Sequence, residues 1–337
     1  MKDHFVASLE ADKQFISYFL VSQKEIRTSP ATGKSWLHLE LSDRTGSIEA
    51  KMWDNFQALA STFGVDDVVK VQARGKLYRG KLELNIENIR AARPEEYDLA
   101  DLVPQTSLDV EALYGQLKEH VAGVKNEWLR RLLSEIVEDE ELARKLKRAP
   151  AGKMMHHAYL GGLLEHIVSL CGLVARVAPH YPDMDADLLI TAAVLHDIGK
   201  LDELSYERSF GYTNEGLLIG HIVSGAELAG RKMEAIEGFP ANLKMVVKHL
   251  ILSHHGELEF GSPVVPKFPE AVLFHYLDQI DSKVAAMRET LAQPGANSEW
   301  SARNASLGRP LLRLEKIREE ERPAEDVRGG SGKLFEE

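Results

Sequence analysis

Two periodicities divide the chain. Between residues 15 and 89, apolar and polar side chains alternate with the period of two that marks half-buried strands. Residues 15–21 are apolar and aromatic. Leu37, Leu39 and Leu41 then alternate with Trp36, His38 and Glu40, Asp43-Arg44-Thr45-Gly46 makes a turn, and Ile48, Ala50 and Met52 alternate with Glu49, Lys51 and Trp53. Val69, Val71 and Ala73 continue the pattern, Arg79-Gly80 turns the chain, and Leu82, Leu84 and Ile86 bring it back. Five short strands, with a helical stretch at 56–63, predict a small closed all-β barrel. Residues 93–107 lose the pattern and read as a linker, with Ser107 or Asp109 placed to cap the next helix. From there the period is helical, over 108–121, 125–138, 140–147, 157–177, 186–196, 214–230, 240–253 and 269–289. Periodicity fails after about 292, and the glycine-rich 327–337 reads as disordered. The predicted organisation is a barrel at 1–92, a linker at 93–107, an all-α domain at 108–291 and an irregular tail at 292–337.

The alternation also assigns faces. If the leucines fill the barrel, then Trp36, His38, Lys51 and Trp53 share its outer surface, and the later hairpin adds Lys70, Arg74, Lys76 and Tyr78 to one side. A barrel of this kind is an OB-fold, and this is the face on which OB-folds stack bases on aromatics while cations follow the phosphates. The competing reading packs the two tryptophans against the second domain and leaves the lysines to solvent. A formal net charge of −11 argues against nucleic-acid binding only if it is spread evenly. Residues 13–93 hold 13 Lys and Arg against 9 Asp and Glu, a surplus of 4 positive charges, so the remainder carries −15. A mildly basic module precedes an acidic body. The single cysteine, Cys171, excludes an internal disulfide or a cysteine-built zinc site and suits a reducing cytoplasm. No run approaches the roughly 18 apolar residues of a membrane span, and the first residues lack a signal-peptide core. A cytoplasmic protein without a membrane partner is expected, and a homo-oligomer is left open.

The candidate chemistry lies in the helical part. Val194-Leu195-His196-Asp197-Ile198-Gly199-Lys200 delivers an imidazole and a carboxylate side by side at a helix end. His166 recurs at helical spacing with Leu170, Leu173 and Val177, which points it toward the core. One such histidine is more often a hydrogen-bonded core residue than a ligand, but several on separate helices reverse those odds. His221 follows Gly216 and Gly220, His254-His255-Gly256 ends another helix, and Asp278 and Asp281 share one face of an apolar helix. Asp281 is left between a ligand and a surface charge. Imidazole and carboxylate suit Mn, Fe, Co, Ni or Zn at a hydrolytic site. His166, His196, Asp197 and Asp278 suffice for one ion; His221 with His254, His255 or both completes a second. Two ions bridged by Asp197 would support in-line attack of water on a phosphodiester, with Lys200 one turn on to hold a phosphate oxygen. The bland reading of Lys200 is a solvated lysine at a helix C-terminus.

The order His166, His196-Asp197, Asp278 resembles the H…HD…D pattern of the HD-domain metal-dependent phosphohydrolases. A closer likeness rests on a barrel joined to such a domain and on three long motifs. These are His156-His157-Ala158-Tyr159-Leu160-Gly161-Gly162-Leu163-Leu164-Glu165-His166, Leu195-His196-Asp197-Ile198-Gly199-Lys200, and Leu252-Ser253-His254-His255-Gly256-Glu257-Leu258-Glu259-Phe260-Gly261-Ser262-Pro263. Together they resemble the YhaM-type 3′–5′ exoribonucleases over roughly residues 13–290. The resemblance implies a divalent metal, commonly Mn2+, and stepwise release of nucleoside 5′-monophosphates from single-stranded RNA, with single-stranded DNA also a candidate. It places His166, His196, Asp197, His221, His254 and Asp278 as metal ligands, with His255 a seventh candidate. It assigns Lys200 to the scissile phosphate, His157 and Tyr159 to the terminal-nucleotide pocket, and the loop at 261–263 to its cover. The glutamate that some two-metal members carry four residues before the first histidine is replaced by Gly162. Two other readings compete: an HD phosphodiesterase or nucleotidase acting on a small nucleotide with a regulatory barrel, and a non-catalytic nucleic-acid-binding factor.

Overall fold

The computed structural model describes residues 2–29, 32–152, 157–206, 210–292, 298–304 and 307–320. The alternating segment forms β1 (Gln14–Thr28), β2 (Ser35–Asp43), β3 (Gly46–Met52), α1 (Phe56–Ala60), β4 (Val68–Tyr78) and β5 (Lys81–Ala91). The strands close in the order β1-β2-β3-β5-β4, with β3 and β5 parallel and the other neighbours antiparallel. This is the OB barrel the alternation predicts. Phe19, Leu37, Leu39, Leu41, Ala50, Val69, Val71 and Leu84 fill it, and Phe56, Ala60 and Phe63 close one end. Lys24 donates to the carbonyls of Ala60 and Phe63 and so satisfies the end of α1. Bulges at Val21/Gln23 and Gln72/Ala73 shift parity, which is why Ile89 rather than residue 88 follows Ile86 inward.

Lys2 makes a buried ion pair beside this core. Its ammonium lies 2.7 Å from Asp43, with side chains 2% and 0% exposed, and stands 3.9 Å over the Phe19 ring. Burial pulls its pKa down against the pull of Asp43. Asp43 also accepts from the backbone N–H groups of Val6 and Thr45. Removing one member of such a pair strands a desolvated charge. Asp43→Ala should therefore destabilise the barrel by about 3 kcal/mol, read as a lower urea midpoint; an unchanged midpoint would contradict this role.

The helical part comprises α2 (Val110–Ala122), α3 (Glu127–Val137), α4 (Glu140–Leu146), α5 (Gly162–Val177), α6 (Ala186–Leu195), α7 (Lys200–Glu203), the hairpin β6 (Leu204–Ser205) and β7 (Gly211–Tyr212), α8 (Asn214–Leu218), α9 (His221–Ala235), α10 (Ala241–Ser253) and α11 (Pro269–Ala292). Asp109, Asn126, Asp139 and Asp185 cap α2, α3, α4 and α6 through their side chains. Leu129, Leu132, Leu163, Ile167, Leu170, Ala193, Val194, Leu250 and Phe274 make a fully buried core. Gly162–His180 has the length and hydropathy of a membrane span, but its apolar face is part of this core. The helix expected over 214–230 is two helices. Gly220 sits at φ +77°, which breaks the run and starts α9 at His221.

Met1–Ser282 forms one compact unit, so barrel and helices pack together. The segment expected to be a linker is docked on both. Leu102 and Val103 are buried against Leu20 and Val68 of the barrel, with Leu160 and Phe210 from the helical side closing the seam. Leu160 exchanges backbone hydrogen bonds with Pro104 and Thr106 at 2.9 Å each, and Thr106 donates to Glu165 at 2.6 Å. Lys283–Glu337 is a second unit, which contains the short helix α12 (Leu314–Glu320) where the sequence pattern predicts none. The stretch 327–337, expected to be disordered, lies outside the described residues.

Candidate functional site

Three helix ends and two helix faces converge on Asp197. His166 comes from α5, His196 and Asp197 from the turn after α6, His221 from the start of α9, His254 and His255 from the end of α10, and Asp278 and Asp281 from α11. Gly199 allows this convergence. A Cβ there would lie 2.1 Å from the His221 carbonyl oxygen and 2.6 Å from the Gly225 nitrogen, so only glycine lets the turn press against α9.

The two Asp197 oxygens face different partners. Oδ2 is 3.3 Å from His196 Nε2 and 2.6 Å from Lys200 Nζ; Oδ1 is 3.5 Å from His221 Nε2 and 3.6 Å from His254 Nε2. On the first side, His166 Nε2 lies 3.3 Å from His196 Nε2 and 3.2 Å from Asp278. On the second side, His221, His254 and His255 bring one nitrogen each within 4.8 Å of one another. The set expected for two ions thus falls into two groups that share Asp197. Lys200 is not a solvated helix-end lysine. Its ammonium turns inward and is held by Asp197 and by the Ala151 carbonyl at 2.7 Å.

Every histidine in the cluster has its Nδ1 occupied by an oxygen. His166 pairs with Asp281 (2.8 Å), His196 with Ala193 O (3.1 Å), His221 with Glu203 (3.0 Å), His254 with Ile251 O (2.7 Å) and His255 with Phe260 O (2.8 Å). Such bonds put the proton on Nδ1 and leave Nε2 as a donor of electron pairs. Sequence reasoning did not find Glu203, and it left Asp281 undecided. Glu203 lies on the single turn α7, which carries no periodicity; it fixes both the His221 ring and its backbone N–H. Asp281 is further held by Ser169.

Electrostatics favour cation binding. Burial opposes ionisation of Asp197, Asp278 and Glu203, yet the imidazoles, joined by Lys200 at Asp197 and Glu203, hold all three carboxyls below their usual range. Burial keeps His254 and His255 neutral by pushing their pKa values down. His166 is the exception: burial pulls its pKa down, but Asp278 and Asp281 outweigh this and raise it to about 9, so an ion must displace a proton from this imidazole to use its Nε2. His221 Nε2 and Asp197 Oδ1 are buried and, among the described residues, make no hydrogen bond. Unsatisfied electron-pair donors aimed at one another across a cluster of ionised carboxylates are what a divalent metal site requires. The residues fit such an ion. Glu203→Ala should free the His221 ring and weaken metal binding by about 10- to 100-fold. Calorimetric titration of chelator-stripped protein measures this; affinity equal to wild type would contradict the orienting role.

His157 and Tyr159 border the first group. His157 is buried at φ +53°, its Nδ1 is 2.7 Å from the Tyr159 hydroxyl and its Nε2 is 3.6 Å from Asp281. Gly162 has a steric reason: a Cβ there would lie 2.1 Å from the His157 carbonyl oxygen. The turn that carries His157 takes the space in which the missing glutamate would start. His156 lies outside the described residues.

The barrel face differs from expectation. The register puts His38 opposite Lys51, as parity requires, but His38 is 4% exposed and buried rather than available. The strand β1 runs on to Thr28, past the predicted end, so Glu25 and Arg27 flank β2 and crowd His38. Lys51 is not free either; it pairs with Glu83 beneath Tyr78. Trp36 packs on Trp53 with centroids 5.1 Å apart, and its Nε1 is buried without a hydrogen bond among the described residues. Trp53 and Tyr78 are the open aromatic surfaces, at 37% and 49%. Lys76 is exposed; Arg74 is exposed and donates to the Asp12 carbonyl. Lys70 stands over Tyr18 at 5.2 Å. Trp53→Ala should weaken binding of a long single strand by about tenfold, since stacking contributes roughly 1–3 kcal/mol per base, and should spare cleavage of a dinucleotide. Equal loss on both substrates would mark Trp53 as a packing residue.

Known proteins share this architecture. The HD domain family matches residues 163–283, and the OB-fold nucleic acid binding domain family matches residues 21–92. The 3′–5′ exoribonuclease YhaM of Bacillus velezensis is 33% identical over 308 residues, 90% of this chain and 97% of that protein. The protein of the same name from Bacillus subtilis is 32% identical over the same shares.

Proposed function

The chain belongs to the family of the YhaM 3′–5′ exoribonucleases, and from that membership we propose that it hydrolyses single-stranded RNA from the 3′ end, one nucleoside 5′-monophosphate at a time. The observation that carries the chemistry is the division of Asp197 between two imidazole groups. His166, His196, Asp197 and Asp278 would hold one ion; Asp197, His221, His254 and His255 would hold the other. Manganese is the proposed ion, since the same donors suit several metals and the family resemblance decides among them. When bound, the ions supply Lewis-acid stabilisation of the phosphoryl oxygens and acidify an attacking water.

The chain's own residues do the rest. Lys200, anchored by Asp197 and Ala151 O, presents its ammonium to a non-bridging oxygen of the terminal phosphodiester. Asp281 and Glu203 hold the imidazoles that face the substrate. His157 and Tyr159 border the place for the last nucleotide. The new bond joins the water oxygen to phosphorus and the P–O3′ bond breaks, leaving a 3′-hydroxyl on the shortened strand. Trp53 and Tyr78 stack bases farther from the cut and raise the local concentration of strand ends. Single-stranded DNA fits the same donors and is the secondary substrate.

Chelator-treated protein should leave RNA intact, and added Mn2+ should restore release of nucleoside 5′-monophosphates identified by chromatography. Activity in chelator, or products bearing a 3′-phosphate, would overturn the proposal.

A further inference from the structure

Beside α7 and the hairpin that follows it lies a cleft of about 250 Å³ lined by Arg144, Lys145, Arg148, Leu201, Leu204, Ser205, Tyr206 and Thr213. Its cations are unusual for their setting, because the chain outside residues 13–93 carries −15. Lys145 is neutralised by Asp202 at 2.7 Å and Glu141 at 3.1 Å. Arg144 and Arg148 are exposed and, among the described residues, form no ion pair. Arg144 lies in the last turn of α4 and Arg148 in the turn that follows it, and both line the cleft. Two uncompensated arginines on an acidic surface raise the local potential for anions, and the planar guanidinium matches phosphate oxygens. Leu201, Leu204 and the Tyr206 ring add apolar wall, as a nucleotide site requires.

The position of the cleft matters as much as its charge. The same short turn that holds Lys200 and Glu203 to the candidate metal centre supplies Leu201 to the cleft. The hairpin that follows lines the cleft with Ser205 and Tyr206, and at Phe210 it packs into the seam with the barrel. The cleft therefore lies between the barrel seam and the turn that bears Lys200.

We propose that Arg144 and Arg148 form a nucleotide-phosphate subsite, occupied by the backbone of the RNA strand as it runs from the barrel to the metal centre, or by a free 5′-mononucleotide. The ligand's identity rests on the exoribonuclease reading. Binding is measured in chelator, so a chain that binds RNA and never cuts it would refute that reading and leave the subsite standing.

The test uses the full chain as Arg144→Gln/Arg148→Gln, with Arg131→Gln/Arg231→Gln as a charge-matched exposed control. Fluorescence anisotropy of a labelled single-stranded RNA is followed across salt concentrations in chelator, and AMP binding is followed by calorimetry. Loss of two phosphate contacts should flatten the slope of log K against log salt by about 1.4, at ~0.7 per single-strand contact. RNA affinity at low salt should fall by roughly tenfold, in the cleft variant only. Unchanged RNA binding with loss of AMP binding would identify the free nucleotide as occupant. If neither ligand distinguishes the cleft variant from the control, the subsite is overturned.

Discussion

Asp197→Asn should reduce RNA cleavage by about a thousandfold or more. Metal-ion stabilisation of a phosphoryl transition state amounts to several kcal/mol, and each ~1.4 kcal/mol is a factor of ten in rate. The substitution is isosteric, so the loss would not come from a cavity. The cause is electronic: the aspartate gives one oxygen to the side of His196 and Lys200 and the other to His221 and His254. An amide offers an acceptor to one group and N–H donors to the other, and it carries no charge to hold two cations together. Metal content by plasma emission should fall with activity, and the melting temperature of metal-free protein should fall too, since the substitution leaves the ammonium of Lys200 without its counter-charge. Wild-type activity with full metal content would remove Asp197 from the proposed bridging position.

Lys200→Met should separate chemistry from metal binding. The ammonium touches Asp197 and the Ala151 carbonyl and contributes no electron pair to a metal. Its loss should lower kcat by about 100-fold, the scale seen when a preorganised charge stabiliser is removed from a transition state. Metal content should stay near wild type, and KM should change less than kcat. A variant with unchanged kcat and a raised KM would make Lys200 a strand-binding residue. A variant that loses its metal would show that Lys200 only balances the charge of Asp197.

How far the sequence reaches into this site depends on the range of each interaction. Alternation over 15–89 encodes the barrel because a period of two is a local property of the chain, and Leu37, Leu39 and Leu41 do point inward. The same parity puts His38 outward, and it does lie opposite Lys51. Its burial comes from the length of β1 and the long side chains of a neighbouring strand, which no local pattern records. The imidazoles and carboxylates that gather at Asp197 are legible because such residues are costly on apolar helices without partners. Their orienting partners are harder to read. Glu203 looks like any acidic residue on a short turn, and only the fold brings it to His221. The break at Gly220 was present in the sequence as a glycine, but its positive φ, which separates α8 from α9, was not. Arg144 and Arg148 are unremarkable in sequence; their lack of ion-pair partners among the described residues is a property of the folded surface.

The most direct measurement uses one RNA labelled in parallel at its 5′ or 3′ end, incubated with the protein and Mn2+ and resolved by length over time. With the 5′ label, a ladder shortening by single nucleotides is expected; with the 3′ label, immediate appearance of the label as a mononucleotide. Internal fragments, or a 5′ label released first, would contradict a 3′–5′ exonuclease built around Asp197.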